Sequence, residues 1–403
     1  MGFYSIWPYF IGMLAVLMLA ATPLLKWADT PPTTVPVRVH TIDGLRGFLA
    51  LSVVFHHAAI YHQYLLTGMW GLPPSRFYAN LGGVGVSMYF MITGYLFWTQ
   101  MLKAKGRPNF LRLYVGRVFR IVPLYFLLAA VVLLGVGVLT QWRLNEAPVL
   151  FAKNVGKWLA GGFLIGGPVN TYIGTGRIAA YVTWSLHYEW LFYGSLLLTS
   201  LLARTVISAA LAPALGFLAA AVLLSFDQNN IPVAAIMLFC AGMGVAAAKS
   251  ALASRSIPAP QWALSIGILA CLALALGAID GAYNALTIAL LATAFTLILF
   301  GGTVFGLLLT RPARRLGDIS YGIYLLQGPI LFTLFANPSM RAFAASAAWS
   351  HWIVVLAAVL LLVLVATATH ALVERPGVLA GQWVLARVAS ARRRPTAETP
   401  LAG

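Results

Sequence analysis

Residues 42–58 read IDGLRGFLALSVVFHHA, an apolar run that carries charged and titratable side chains. Asp43 and Arg46 precede the run, and His56 and His57 lie near the middle of the membrane span that it predicts. Arg46 and His57 are eleven residues apart. At about 3.6 residues per turn, both side chains project from one helix face, roughly 16 Å apart along the axis. Only a long molecule could connect them.

The composition predicts a polytopic membrane protein. Hydrophobic residues make up 61% of the 403 residues, charged residues make up 9%, and the mean hydropathy is +0.88. A water-soluble domain does not have this composition. Apolar runs predict one all-α membrane domain of about eleven transmembrane helices. They fall at residues 3–25, 44–66, 80–102, 121–140, 183–203, 206–225, 231–248, 261–279, 285–309, 319–337 and 351–373.

The distribution of basic residues predicts the orientation. With the N-terminus outside, 20 of the 26 Lys and Arg residues fall in cytoplasmic segments, which leaves the C-terminus inside. The net charge of +17 is then explained by topology and by contact with anionic membrane lipid, and no nucleic-acid-binding fold is indicated. Residues 1–39 are predicted to be an additional transmembrane helix and linker, and residues 378–403 a disordered, basic cytoplasmic tail.

His57 is the first candidate for a functional side chain, because an ionisable group at membrane depth is costly and usually faces a cavity or a partner. His56 points about 100° away, which suits either packing or support of its neighbour. Asp43 and Arg46 have ordinary alternatives at a helix start and at a cytoplasmic boundary.

Glu189 is the one acidic residue of nine that falls well inside a predicted span. If the chain enters the membrane near Tyr181, the carboxylate lies roughly 12 Å deep, close to the level of His57. We therefore expect Glu189 to orient the imidazole and to favour its charged form. A structural pairing with a nearby Tyr or Arg is the alternative.

Two further features have open alternatives. Arg117 and Arg120 are three residues apart and share a face, which suits either capture of a phosphorylated ligand or contact with anionic lipid. The glycine-rich residues 161–176 are either a flexible connection or a lid or re-entrant piece at an acceptor site. Cys240 and Cys271 lie in apolar segments and are predicted to be lipid-facing or packed thiols, and neither has metal-ligand spacing around it.

These segments resemble the acyltransferase-3 family of integral membrane acyltransferases, which includes bacterial O-antigen and peptidoglycan O-acetylases. The resemblance covers roughly residues 40–377, a ten-helix core to which the first helix is an addition. Arg46 and His57 match the family's Arg-x10-His pattern. The other motifs, in family order, are GVGVSMYFMITGYLFW (83–98), RVFRIVPLY (117–125), WSLHYEWLFY (184–193), LGDISYGIYLLQGPI (316–330) and ERP (374–376).

The resemblance implies an O-acyltransferase of the bacterial inner membrane. Its donor would be acetyl-CoA or another acyl-CoA, and its acceptor a hydroxyl of a carbohydrate or lipid-linked glycan, as in polysaccharide or lipopolysaccharide O-acetylation. His57 would act as general base or, less simply, form an acyl-imidazole. The residues expected to assist it are Glu189 and Arg46 in catalysis, Arg46, Arg117, Arg120 and Tyr125 in donor binding, and Asp43, His56, Trp184, Tyr193, Ser320 and Tyr321 as supporting wall or oxyanion-side donors. No metal is required.

The chain departs from the family pattern at several positions. Gln327 replaces a common histidine, so we assign it no catalytic task, and Met91 and Thr93 replace common residues of the third-span motif. A proton-coupled transporter or flippase that uses His57 and Glu189 as a relay is the competing class. A non-catalytic membrane scaffold is a third.

Overall fold

The computed structural model describes residues 2–29, 39–228, 230–252 and 259–393. Within these ranges the chain forms helices and turns, contains no β-strand, and has one isolated antiparallel bridge between Val169 and Tyr172. The α-helices are α1 Trp7–Ala21, α2 His40–Thr67, α3 Arg76–Lys103, α4 Phe110–Leu139, α5 Pro148–Trp158, α6 Thr175–Ile178, α7 Trp184–Thr199, α8 Val206–Phe226, α9 Ile231–Ala251, α10 Gln261–Ala273, α11 Ala285–Leu299, α12 Arg311–Asp318, α13 Ser320–Ala336, α14 Pro338–Ser346, α15 Ala348–Thr369 and α16 Arg375–Arg393.

The all-α polytopic class is confirmed. Each of the eleven predicted spans overlaps one helix, namely α1 to α4, α7 to α11, α13 and α15. In the described part of the chain, six helices are long and apolar enough to cross a membrane, and α12 with α13, bent by 66°, makes a possible seventh. Polar side chains such as those of His56, His57 and His62 lower the hydropathy of α2. The total of eleven spans remains a prediction.

The contact between α3 and α9 is close because glycine lies on both sides of it. An added Cβ at Gly94 would come within 2.4 Å of the carbonyl oxygen of Phe239, and one at Gly242 within 2.0 Å of that of Met91. Small residues allow membrane helices to approach until their backbones touch. This contact holds α3, which also packs on α2, at the centre of the helix bundle.

The segment between α4 and α7 enters the bundle. Gly328, in the middle of α13, lies so close to Ala179 that an added Cβ would come within 2.3 Å of the Ala179 carbonyl carbon. Ala180 and Tyr181 have φ of 46° and 56°, a region that residues with a side chain rarely adopt. The turn at residues 179–181, just after the glycine-rich residues 161–176, is therefore packed inside the bundle, and the role of residues 161–176 as a connection or a re-entrant piece stays a prediction.

The basic tail is helical rather than disordered as far as Arg393. The close approach of α16 to α4 explains the order, because an added Cβ at Gly377 would come within 2.7 Å of the Phe119 carbonyl oxygen. Residues 394–403 lie outside the described residues, as do three basic residues that the topology prediction used, Arg38, Arg255 and Arg394.

An ion pair attaches the segment after α1 to α12. Asp29 accepts hydrogen bonds from Arg315 Nε at 2.6 Å and from Arg311 Nη2 at 2.8 Å. Arg315 is buried, and its hydrogen bond to Asp29 is the main reason that the pKa of this carboxyl is below its ordinary value. The segment that follows α1 is thus attached to α12 by a charged contact.

Candidate active site

Two cavities lie among the helices of the bundle, and residues of α2, α3 and α13 line both of them. We call the first the arginine cavity: it has a volume of about 180 Å³ and contains the side chains of Arg46, Arg117 and Arg120 together with Glu189. We call the second the histidine cavity: it has a volume of about 830 Å³ and contains His57. Arg46 and His57 therefore line two different cavities, in agreement with the roughly three helical turns that separate them.

The hydrogen bonds of His57 define its tautomer. Its Nδ1 lies 3.0 Å from the Val53 carbonyl oxygen and 3.0 Å from Gln327 Oε1. Gln327 Nε2 donates to the Tyr324 carbonyl oxygen at 2.8 Å, which orients the amide so that Oε1 faces the imidazole. Both neighbours of Nδ1 can only accept, so Nδ1 carries the proton in the neutral ring. The lone pair is then on Nε2, the atom that a general base needs.

His56 has a structural role in the same cavity. Its Nδ1 lies 2.7 Å from the Tyr78 carbonyl oxygen on α3, and its ring centroid is 5.0 Å from that of His57. The ring packs so closely against Gly82 that an added Cβ there would approach it to 2.4 Å. His56 thus positions α2 against α3 and forms part of the cavity wall beside His57.

The expected pairing of Glu189 with His57 is wrong. Glu189 lies in the arginine cavity, where it accepts hydrogen bonds from Tyr193 Oη at 2.8 Å and from Thr93 Oγ1 at 3.4 Å. The depth estimate assumed that Tyr181 marks the membrane surface. The two residues before it, Ala179 and Ala180, are instead fully buried, so the segment that leads into α7 runs inside the bundle. The carboxylate of Glu189 therefore lies beside the arginines and not beside the imidazole.

The arginine cavity combines positive charge with an aromatic wall. Arg117 lies over the ring of Phe97 at 4.8 Å, and Tyr89 Oη donates to the Arg46 carbonyl oxygen at 2.6 Å. Three guanidinium groups with one carboxylate leave an excess of positive charge in the cavity, which suits an anionic ligand.

Three of the expected supporting residues form part of a cavity wall. Tyr193, Ser320 and Tyr321 line the arginine cavity, but their hydroxyls donate to Glu189, to the Gly317 carbonyl and to the Ile121 carbonyl. Each hydroxyl proton is engaged, so these residues form wall rather than oxyanion-side donors. They also lie in a different cavity from His57.

Trp184, Tyr125 and Asp43 complete the predicted set. Trp184 lines the histidine cavity as expected. Tyr125 is fully buried and lies outside the linings of both cavities, because five residues turn it about 140° away from Arg120 on α4. Asp43 lies 4.0 Å from His40 in the first turn of α2, in agreement with an ordinary helix-start role.

Residues that the sequence analysis passed over are important in the structure. Gln327 contacts the candidate base directly, and Val86 and Tyr324 line both cavities. Glu374, which the sequence placed at a helix end, is buried beside His370 at 3.6 Å. The ISYGIYLLQGP motif could have indicated Tyr324 and Gln327, and the ERP motif could have indicated Glu374. Local periodicity could not have done so. Among the described residues, no group of three or more His, Cys, Asp or Glu could hold a metal ion.

A comparison with protein families identifies the family of this chain. A family model described as an acyltransferase domain, that of the acyltransferase-3 family, matches residues 39–370. The chain belongs to this family and is a multi-pass membrane acyltransferase. Searches of curated proteins and of solved structures found no significant match.

Proposed function

We propose that the protein is an O-acetyltransferase of the bacterial inner membrane, with its N-terminus outside and its C-terminus in the cytoplasm. It takes the acetyl group from cytoplasmic acetyl-CoA and transfers it to a hydroxyl of a carbohydrate or lipid-linked glycan. The main support is the arrangement on α2, where Arg46 opens into one cavity and His57, with its Nε2 available, opens into the other.

The arginine cavity suits the nucleotide end of acyl-CoA. Its phosphate groups need charge-assisted hydrogen bonds, which Arg46, Arg117 and Arg120 can donate. The pantetheine arm is the long connection that the spacing of Arg46 and His57 requires. Glu189 lies among these arginines, and we assign it to their orientation rather than to the base.

His57 Nε2 acts as the general base in the proposed reaction. It accepts the proton of the acceptor hydroxyl as the oxygen attacks the thioester carbonyl. The new ester C–O bond forms, the C–S bond breaks, and the imidazolium returns its proton to the departing CoA thiolate. Gln327 and the Val53 carbonyl hold Nδ1–H throughout, so the ring does not rotate between the two proton transfers.

The histidine cavity suits a polar acceptor with several hydroxyl groups. Trp184 and Tyr283, with ring centroids 6.1 Å apart, provide aromatic surface on one side. The ion pair of Arg76 and Asp280, together with Asn284, provides donors and acceptors at its rim. Concave sites with an apolar wall and a few polar groups are typical of small-molecule binding.

The arrangement of the two side chains gives less support to the competing transporter mechanism. A direct proton relay needs His57 and Glu189 within reach of each other, whereas each has its own hydrogen-bond partners in a separate cavity. The family match also favours transfer over transport.

The proposal is tested with purified protein in nanodiscs and radiolabelled acetyl-CoA. His57→Ala should lower transfer by roughly 10²- to 10⁴-fold while CoA binding stays normal, because the donor's charged end is bound about three turns away. His56→Ala should have a smaller effect on the chemical step. Two results would contradict the proposal. One is normal turnover in His57→Ala, and the other is that the wild type releases CoA with none of the glycan acceptors tested.

A further inference from the structure

The two cavities meet at one place. Among the described residues, Val86 of α3 and Tyr324 of α13 are the two that line both cavities. Val86 is 5% exposed and Tyr324 is 7% exposed, so both belong to a narrow wall rather than to an open surface.

Tyr324 forms the fixed side of this wall. Its hydroxyl lies 2.7 Å from Ser185 Oγ and 3.0 Å from the Val182 carbonyl oxygen, which ties the ring to the beginning of α7. Its ring also lies 6.1 Å from that of Tyr89 in the arginine cavity. Val86 is the other residue common to both linings, and its two methyl groups make its bulk the feature of the wall that a substitution can change.

No comparable route runs between α2 and α3 near His57. An added Cβ at Gly85 would come within 2.9 Å of Val53 Cγ2 and 3.0 Å of the Leu49 carbonyl oxygen, so these helices are in direct contact. A ligand that extends from Arg46 to His57 therefore cannot pass between α2 and α3. It has to pass between α3 and α13.

We propose that the opening between Val86 and Tyr324 is the passage through which the thioester end of the donor reaches His57, and that its width restricts the enzyme to short acyl groups. The proposal rests on the proposed function, because it assumes an acyl-CoA donor in the arginine cavity. It adds a specificity-determining residue, Val86, that makes no hydrogen bond and takes no part in proton transfer.

The passage is tested first without any substrate. In a background with Cys240 and Cys271 replaced by alanine, single cysteines are placed at positions 79, 86 and 93 and exposed to a charged, impermeant thiol reagent. Ala79→Cys lines only the histidine cavity and Thr93→Cys only the arginine cavity, so each should react from one side of sealed vesicles. Val86→Cys should react from both sides, and reaction from one side alone would overturn the passage.

The second test changes the width of the opening between Val86 and Tyr324. Val86→Phe should keep CoA affinity but lower acetyl transfer by at least about tenfold, because added bulk in a packed wall blocks movement without touching the charged end of the donor. Val222→Phe, the same change at a 58% exposed position on α8, is the matched control and should transfer normally. Val86→Ala should accept butyryl-CoA better relative to acetyl-CoA than the wild type does.

The outcomes separate the passage from the proposed function. Normal transfer by Val86→Phe, or loss of its CoA binding, would overturn the passage while leaving the donor assignment in place. Failure of the wild type to bind CoA, with Val86→Cys still labelled from both sides, would instead remove the proposed donor and leave the opening between the cavities established.

Discussion

Gln327→Leu is the most direct test of how the candidate base is held. Leucine has a similar volume and removes the oxygen that accepts from His57 Nδ1–H at 3.0 Å, while the Val53 carbonyl, also at 3.0 Å, continues to accept. A neutral hydrogen bond contributes about 0.5–1.5 kcal/mol net, so we expect kcat to fall roughly 2- to 13-fold. This loss is far smaller than the roughly 10²- to 10⁴-fold expected when the base itself is removed.

The assay is steady-state transfer of radiolabelled acetyl groups, with CoA affinity measured separately. The KM for the donor should stay unchanged, because the arginines that would bind it lie in the other cavity. Gln327→His should restore most of the activity, since one ring nitrogen can accept from His57 while the other donates to the Tyr324 carbonyl. Two results would refute the reasoning that the hydrogen bond to Gln327 sets the tautomer of His57. One is a loss of kcat in Gln327→Leu as large as that in His57→Ala, and the other is no loss of kcat at all.

The remaining predictions concern the donor site and the N-terminal attachment. Arg117→Ala or Arg120→Ala should raise the donor KM roughly 10- to 150-fold, since a lost charge-assisted contact costs about 1.5–3 kcal/mol; normal CoA binding in both would assign these residues to lipid contact. Glu189→Gln should alter donor KM more than the pH dependence of kcat, which a direct partner of the base would change. Arg315 lowers the pKa of Asp29, so this ion pair stabilises the fold at neutral pH, and the stabilisation is lost as the pH falls through the lowered pKa. The difference in Tm between the wild type and Asp29→Asn should therefore shrink below about pH 4.

The separation of the two cavities gives the proposed reaction a direction. A donor bound among the arginines would reach the acceptor beside His57 only through the opening at Val86 and Tyr324, so its phosphate groups would stay on one side and the sugars on the other. Transfer would then move the acetyl group across the bundle while CoA remains on its own side.

The sequence by itself determined the membrane class, the positions of eleven of the sixteen described α-helices and the spacing of Arg46 and His57. Each depends on local rules, because apolar runs indicate spans and helical periodicity fixes which side chains share a face. The family motifs added the acyltransferase assignment, which the family match confirmed.

Only the tertiary structure decided which groups surround the imidazole. The bond between His57 and Gln327 joins residues 270 positions apart, and no local pattern encodes such a contact. Glu189 was misplaced for the same reason, since the position of α7 depends on how Ala179 and Ala180 pack against Gly328 rather than on the length of an apolar run. Long-range packing sets the depth and the partners of a buried polar group, whereas local hydropathy sets only whether it lies in a helix.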